Sequence, residues 1–422
     1  MILDRGAKQT AHAAERPPVA ILRGQYLSKT ELTYYEPLAS EFEIVAFAPR
    51  KNSYFLHDVE IPVVQRFTPE MDLPFVGSIR PFRLRQAVQR AAISSLPYMV
   101  GLESELRRFR VIHSAETFSR YTEAALGAKR RWGTKLVVTC WENLPFLHEN
   151  LYGVAPLNAR GDLKRAVIEE ADAFIAVTED ARDALLLEGA DAKRITVIPA
   201  GVDCEKFSPA DRDRELSRTL RIRSSDRVIL FAGRIEWQKG VFDLLRALHL
   251  LVHDPDLSQG NILLVLKGGG SELETAVWFA ERLGISGAVR CVSGKGWSDG
   301  DMEKYFNLAD VCVFPSKATP HWEEQFGMVL IEAMACGRPI VTAGSGSIGQ
   351  VVGDAGETIP PGDSKALYRT LKALLLCDQK RSELGLRARE RALARYSHLE
   401  VARQIGRVYS RVLGLPTGRQ VE

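Results

Sequence analysis

No stretch of the 422-residue chain approaches the roughly 18–20 uninterrupted apolar residues that a membrane-crossing helix needs. The first segment, MILDRGAKQTAHAAERPP, lacks the apolar centre of a secretory signal, so residues 1–17 read as a loose leader punctuated by Pro17 and Pro18. Closely spaced cysteines are missing too. Cys140, Cys204, Cys291, Cys312, Cys336 and Cys377 lie no nearer than 21 residues to one another, which excludes a CxxC zinc site. Most sit in apolar runs, as expected of reduced thiols in a cytoplasmic chain. Net charge is small: 56 Lys and Arg against 53 Asp and Glu leave +3, too little basic excess for a dedicated nucleic-acid binder.

What is present is ordinary globular material, 45% hydrophobic and 26% charged, long enough for two to three domains at roughly 100–200 residues each. From Val19 short apolar runs alternate with amphipathic stretches. The apolar runs predict strands at 19–23, 43–48, 110–114, 135–140, 173–177 and 194–198. Helices are predicted at 30–40, 82–95, 119–130, 161–171 and 179–188. The polar, charged segment SPADRDRELSRTLRIRSSDR at 208–227 breaks the pattern and marks a domain boundary. A second series follows, with strands at 228–233, 261–267, 289–293, 310–314 and 338–342. Its helices are predicted at 240–253, 271–284, 301–309, 327–336 and 364–376, and 379–413 reads as two helices separated near Tyr396. Such alternation gives parallel-sheet α/β layering, and two α/β halves that face each other make a ligand cleft.

Four constellations carry chemistry. In HWEEQFGMVLIEAMACGRPIV, residues 321–341, Glu324 and Glu332 have seven residues between them. Glu332 is the single acid on a helix apolar nearly all round, hence a buried one, and a buried carboxylate needs a partner such as a ligand hydroxyl. Gly327 at the helix start suits close approach of an anion. In ILFAGRIEWQKG, residues 229–240, Arg234 and Lys239 follow a buried strand, where an α/β fold binds anions, and a fork plus a point charge suits a diphosphate. A solvated basic loop is nonetheless the commoner fate of an Arg–Lys pair. In LLVLKGGGSELE, residues 263–274, the dinucleotide fingerprint fails because Leu273 stands where the third glycine belongs; a close-packed turn beside a nucleotide fits better. In IPAGVDCEKFSP, residues 198–209, Gly201, Asp203 and Phe207 suit a crossover turn as well as they suit a ligand contact.

Together these motifs resemble the family 4 glycosyltransferases, a retaining group with the GT-B fold. The matches run from about Val19 to Tyr409 and include RVIHSAE at 110–116, AFIAVTEDARDAL at 173–185, AGVDCEKF at 200–207, GRIEWQKG at 233–240, ADVCVFPS at 309–316 and EQFGMVLIEAMACGRPIV at 324–341. The resemblance implies two facing Rossmann-like domains, at 18–207 and 228–396 with 208–227 as linker, and a C-terminal helix in 397–422 returning to the first domain. It implies a nucleoside-diphosphate-sugar donor, no cofactor and no metal, in keeping with the lack of a well-placed DxD pair. By that resemblance Arg234 and Lys239 hold the diphosphate, Glu324 the donor sugar and Glu332 the ribose. The backbone of Phe326, Gly327, Met328 and Val329 would lie against phosphate and sugar, Gly268, Gly294 and Lys295 near the base, and Gly24 would let the first loop approach the diphosphate. Catalysis would fall to Glu324, Arg234 and Lys239.

The sequence departs from the family after the strand KLVVTC, where many members carry His-Asp and this chain has Trp141 and Glu142. The acceptor-side candidates are therefore His113, Glu116, Trp141 and Glu142, each weighed against a satisfied structural polar group. The acceptor itself is expected to be a glycan or a lipid-linked glycan, in glycolipid or cell-surface polysaccharide synthesis. Residues 80–135 hold 12 Lys and Arg against 4 Asp and Glu, a local +8 that the overall charge conceals. The basic, aromatic-bearing stretch 80–110 suits peripheral contact with anionic lipid, against the plainer reading of a solvated basic face. An epimerase or hydrolase on the same fold, and a non-catalytic sugar-binding scaffold, are the competing functions.

Overall fold

The computed structural model describes residues 16–54, 56, 59–68, 72, 99–147, 158–257, 261–293 and 301–416. Two parallel sheets organise them. The first contains β1 (Pro18–Leu22), β2 (Glu43–Pro49), β3 (Val63–Arg66), β4 (Val111–Ala115), β5 (Lys135–Cys140), β6 (Ala173–Ala176) and β7 (Ile195–Val197), in the order β3-β2-β1-β4-β5-β6-β7. The second contains β8 (Arg227–Ala232), β9 (Ile262–Lys267), β10 (Val289–Val292), β11 (Val311–Phe314), β12 (Ile340–Ala343) and β13 (Glu357–Ile359), in the order β10-β9-β8-β11-β12-β13. Every pairing is parallel, with β1 in register Val19 to Ile44 on one side and Val19 to Val111 on the other. The strands are continuous apolar runs because helices cover both faces of each sheet.

The connecting helices of the first half are α1 (Lys29–Thr33), α2 (Leu102–Leu106), α3 (Arg120–Trp132), α4 (Asn158–Glu170) and α5 (Glu179–Leu187). Those that follow are α6 (Arg214–Thr219), α7 (Val241–Val252), α8 (Leu273–Arg282), α9 (Met302–Leu308), α10 (Met328–Ala335), α11 (Ile348–Val352), α12 (Ser364–Leu376), α13 (Asp378–Arg391) and α14 (His398–Leu413). Local chemistry sets several starts: the side chains of Ser119, Thr178 and Asp363 accept from the backbone N–H three residues on. The helix predicted over 30–40 is two short pieces instead, α1 and a 3-10 turn at Glu36–Ser40, because Pro37 has no N–H with which to continue the α-helical ladder from α1. The boundary segment 208–227 is not wholly linker; it contains α6, capped by Asp213, whose Oδ1 accepts from Leu216 N. The short β3, β13 and α11 carry too little periodicity to be predicted.

The chain crosses between the sheets twice, and the two crossings hold each other. Val202 N donates to Tyr396 O at 2.7 Å and His398 N donates to Val202 O at 3.0 Å, a parallel bridge at the hinge. Tyr396 closes a π-helical turn, Ala392–Tyr396, after which α14 lies on the first sheet. There Val401, Ala402, Ile405, Val408 and Tyr409 pack with Val19, Ile21, Phe42 and Val137 in one buried cluster.

Candidate functional site

In each sheet the strand order reverses beside its first strand: between β1 and β4, and between β8 and β11. Open α/β sheets bind ligands outside the carboxyl ends of the strands at such a reversal. Both reversals open onto one cavity of about 890 Å³, lined by residues that follow β1, β8 and β11 and by the start of α10.

The second-domain wall is built around Glu324. Gly240, after the 3-10 turn Trp237–Lys239, has a φ of +73°, and a Cβ there would meet Pro315 O at 2.0 Å. Only a glycine lets the start of α7 come so near the end of β11, and that approach puts Lys239 beside Glu324. Lys239 Nζ lies 2.7 Å from Glu324 Oε2, and Ser316 Oγ donates to the same oxygen at 3.1 Å. The ammonium also sits 4.5 Å from the centre of the Trp322 ring. Behind the carboxylate the Glu324 carbonyl accepts from Ser347 N at 2.9 Å and from Asn143 Nδ2 of the first domain at 3.2 Å. Arg234 stands at the mouth, half exposed, with Glu236 at 3.0 Å.

Glu332 projects from α10, whose Leu330, Ile331, Ala333, Met334 and Ala335 are all buried. Burial pushes its carboxyl up to about 8; Lys206 opposes that rise and Glu303 adds to it. No basic group forms an ion pair with it among the described residues, yet it lines the cavity. Gly327, Met328 and Val329 line the cavity as well. Phe326 turns inward, its ring edge-on to Trp141 at 5.9 Å and to Tyr396 at 5.9 Å, so its side chain joins the two domains.

Several expectations need correction. His113 is a buried structural histidine: Nδ1 pairs with Tyr409 Oη and Nε2 with Thr139 Oγ1, each at 2.6 Å, and burial lowers its pKa to about 3. It does not line the cavity. The space beside Gly24 is filled by the Tyr121 ring, 2.4 Å from where a Cβ would sit, so that glycine serves packing. Gly268 likewise packs backbone on backbone: at φ +144° its Cβ would lie 2.0 Å from Gly233 O. Glu142 is buried and its Oε1 accepts from Leu144 N at 3.1 Å, shaping the turn after β5. Of the acceptor-side candidates Trp141 lines the cavity, and Glu116 supports it from behind by accepting from Trp141 N at 3.1 Å. Gly294, Lys295 and most of the basic stretch 80–110 lie outside the described residues. Among the described residues no three His, Cys, Asp or Glu cluster as metal ligands would, and no helix is long and apolar enough to cross a membrane.

The first-domain wall holds residues that the sequence did not single out. Arg23 follows β1, Glu31 lies on α1, and their side chains pair at 3.2 Å. Arg23 also stacks on Trp141, its guanidinium carbon 5.1 Å from the ring centre. Tyr34 and Tyr54 complete this side, while Asp203 and Lys206 line the cavity from the crossing toward the second sheet, Lys206 4.0 Å from Glu303. The position of Arg23, directly after the first strand, was the available signal.

Sequence comparison fits both halves. Residues 35–201 match the model of the glycosyl transferase 4-like domain, and residues 212–391 match that of the glycosyl transferases group 1. The chain belongs to the family 4 glycosyltransferases. Among curated family 4 relatives it is similar to D-inositol 3-phosphate glycosyltransferase 2 of Catenulispora acidiphila, 34% identical over 58% of this chain and 57% of that protein. It is also similar to D-inositol 3-phosphate glycosyltransferase of Mycobacterium tuberculosis, 32% identical over 61% of this chain and 52% of that protein. The chain thus spans about half the length of the curated relatives it matches. The GT-B architecture is shared with solved structures. Anabaena HepE, in complex with UDP and glucose, has a TM-score of 0.71 at 19% identity, covering 94% of this chain and 100% of that one. Sucrose-phosphate synthase of Thermosynechococcus elongatus gives 0.68 at 19% identity over the same shares.

Proposed function

We propose that this family 4 chain is a retaining hexosyltransferase that moves a sugar from a nucleoside-diphosphate sugar to an acceptor hydroxyl, in the synthesis of a glycolipid or cell-surface polysaccharide. The observation that carries the reading is the convergence of Lys239, Ser316, Glu324 and Glu332 on one interdomain cavity. In this reading Glu324 accepts hydrogen bonds from donor-sugar hydroxyls and Glu332 from those of the ribose. Lys239 and Arg234 meet the diphosphate and stabilise the charge that builds on it as the bond to the anomeric carbon breaks. The acceptor oxygen forms the new bond to that carbon on the face the diphosphate leaves, and the departing phosphate oxygen takes the acceptor proton, so the step uses no protein base and no metal. Anabaena HepE has been solved in complex with UDP and with UDP-glucose, which makes uridine donors the first to try. A lipid-linked acceptor agrees with the basic excess of residues 80–135.

The test is a melting-temperature screen against UDP-, GDP- and ADP-sugars, followed by turnover with the stabilising donor. Lys239→Ala and Glu324→Ala should each lower kcat by about 10²- to 10³-fold, the weight of one group that stabilises developing charge or positions the reacting sugar. Wild-type turnover in either variant would remove the assignment.

A further inference from the structure

The cations facing the cavity from its two walls differ in what surrounds them. On the second-domain wall Arg234 stands half exposed at the mouth, available to an anion. On the first-domain wall Arg23 is enclosed. Glu31 pairs with it at 3.2 Å, both side chains under one-fifth exposed, and Trp141 covers one face of the guanidinium. A second carboxyl lies behind: Glu116, partly buried after β4, with one oxygen accepting from Trp141 N and the other, itself buried, without a hydrogen-bond partner. Burial opposes the charge on Arg23, but Glu31, with Tyr121 and Glu116, outweighs it and raises its pKa. Lys29, the other cation on this wall, is exposed at the rim.

We infer that the first-domain wall receives an uncharged polyol, the hydroxyl-bearing end of a neutral glycan, and that the Arg23–Glu31 pair selects it against a phosphorylated acceptor. The inference rests on the glycosyl-transfer reading above and names the acceptor class for the same cavity. An ion pair presents a donor and an acceptor side by side, which matches vicinal hydroxyls that donate to Glu31 and accept from Arg23. A phosphate group would have to take Arg23 from Glu31 and then lie against an unpaired carboxylate. The curated relatives whose names specify D-inositol 3-phosphate would therefore differ from this chain in acceptor charge.

The full chain is tested on an immobilised array that carries neutral glycans beside the same glycans bearing a phosphate monoester. Wild type should retain a neutral glycan and gain nothing from the phosphorylated form. Glu31→Gln should weaken the neutral glycan about 10- to 100-fold, as expected for a lost hydrogen bond to a charged group, and shift the preference toward the phosphorylated form as Arg23 is released. Arg23→Gln is the second variant and should weaken the neutral glycan without any gain for the phosphorylated one. Stronger wild-type retention of phosphorylated glycans, retention of no neutral glycan, or an unchanged preference in Glu31→Gln would overturn the inference. Donor binding is followed in parallel by the melting shift. Selective retention of a neutral glycan with no donor shift would count against the transfer reading while upholding the acceptor class.

Discussion

Glu332 shows how a single residue links burial to ligand chemistry. Its carboxyl sits on a helix with apolar neighbours, and burial lifts it from 4.5 to about 8. A group raised in this way keeps its proton in the folded chain where the unfolded chain has lost it. Its contribution to stability is therefore lost as pH rises from about 4.5 through about 8. Ribose hydroxyls that donate to the ionised form pull the other way, so donor affinity should rise with pH up to about 8 and level off above it. Calorimetric titrations of wild type and Glu332→Gln across this range check the point: the variant should bind donor more weakly and with a flatter pH profile. A variant with the wild-type slope would show that another group titrates. The spacing of Glu324 and Glu332 and the apolar setting of the second were readable from sequence. The pairing of Arg23 with Glu31 was not, because its partners sit eight positions apart on separate elements, a strand end and α1, and leave no periodic trace.

At the scale of elements, the turns after β8, β9 and β11 act as one unit. Gly233 N donates to Lys267 O at 3.0 Å, Ile235 N to Gly269 O at 2.9 Å, and Lys317 N to Gln238 O at 2.7 Å. Arg234 and Lys239 are thus placed by backbone contacts with two other turns. Gly268→Ala would put a Cβ within 2.0 Å of Gly233 O at a φ that L-residues rarely adopt. It should cost roughly 2 kcal/mol or more of stability and weaken donor binding together, since the Arg234 turn must move. Denaturant unfolding and donor titration on the same protein check both effects; unchanged donor affinity would mean that the turns move independently. The glycine run invited a dinucleotide reading that the failed fingerprint already opposed, and the structure supplies the reason for the glycines. Gly268 and Gly270 let neighbouring turns touch, a Cβ at Gly270 lying 2.3 Å from Ile235 O. Strand and helix alternation was legible because buried parallel strands are continuous apolar runs, whereas β3, β13 and α11 were too short to show a period.

For the whole molecule, α14 makes the first domain depend on the last residues of the chain. Its Tyr409 meets Phe42 edge-on at 5.4 Å and holds His113 at 2.6 Å. Ending the chain after Tyr396 would remove Val401, Ile405, Val408 and Tyr409 and uncover the sheet face beneath them, each lost large side chain worth about 1.5–3 kcal/mol. The truncated protein should be recovered mainly as aggregate, while a chain ending at Leu415 should stay folded; solubility and melting of the two products decide it. The sequence by itself determined the α/β class, the two-domain division and the family, because local spacing and apolar runs encode them. Only the tertiary structure decided that His113 supports α14, that Gly24 and Gly268 serve packing, and that Arg23 is neutralised by Glu31 beside Trp141. Those relations join residues from separate strands and helices, and their distances are set by how the sheets and domains pack.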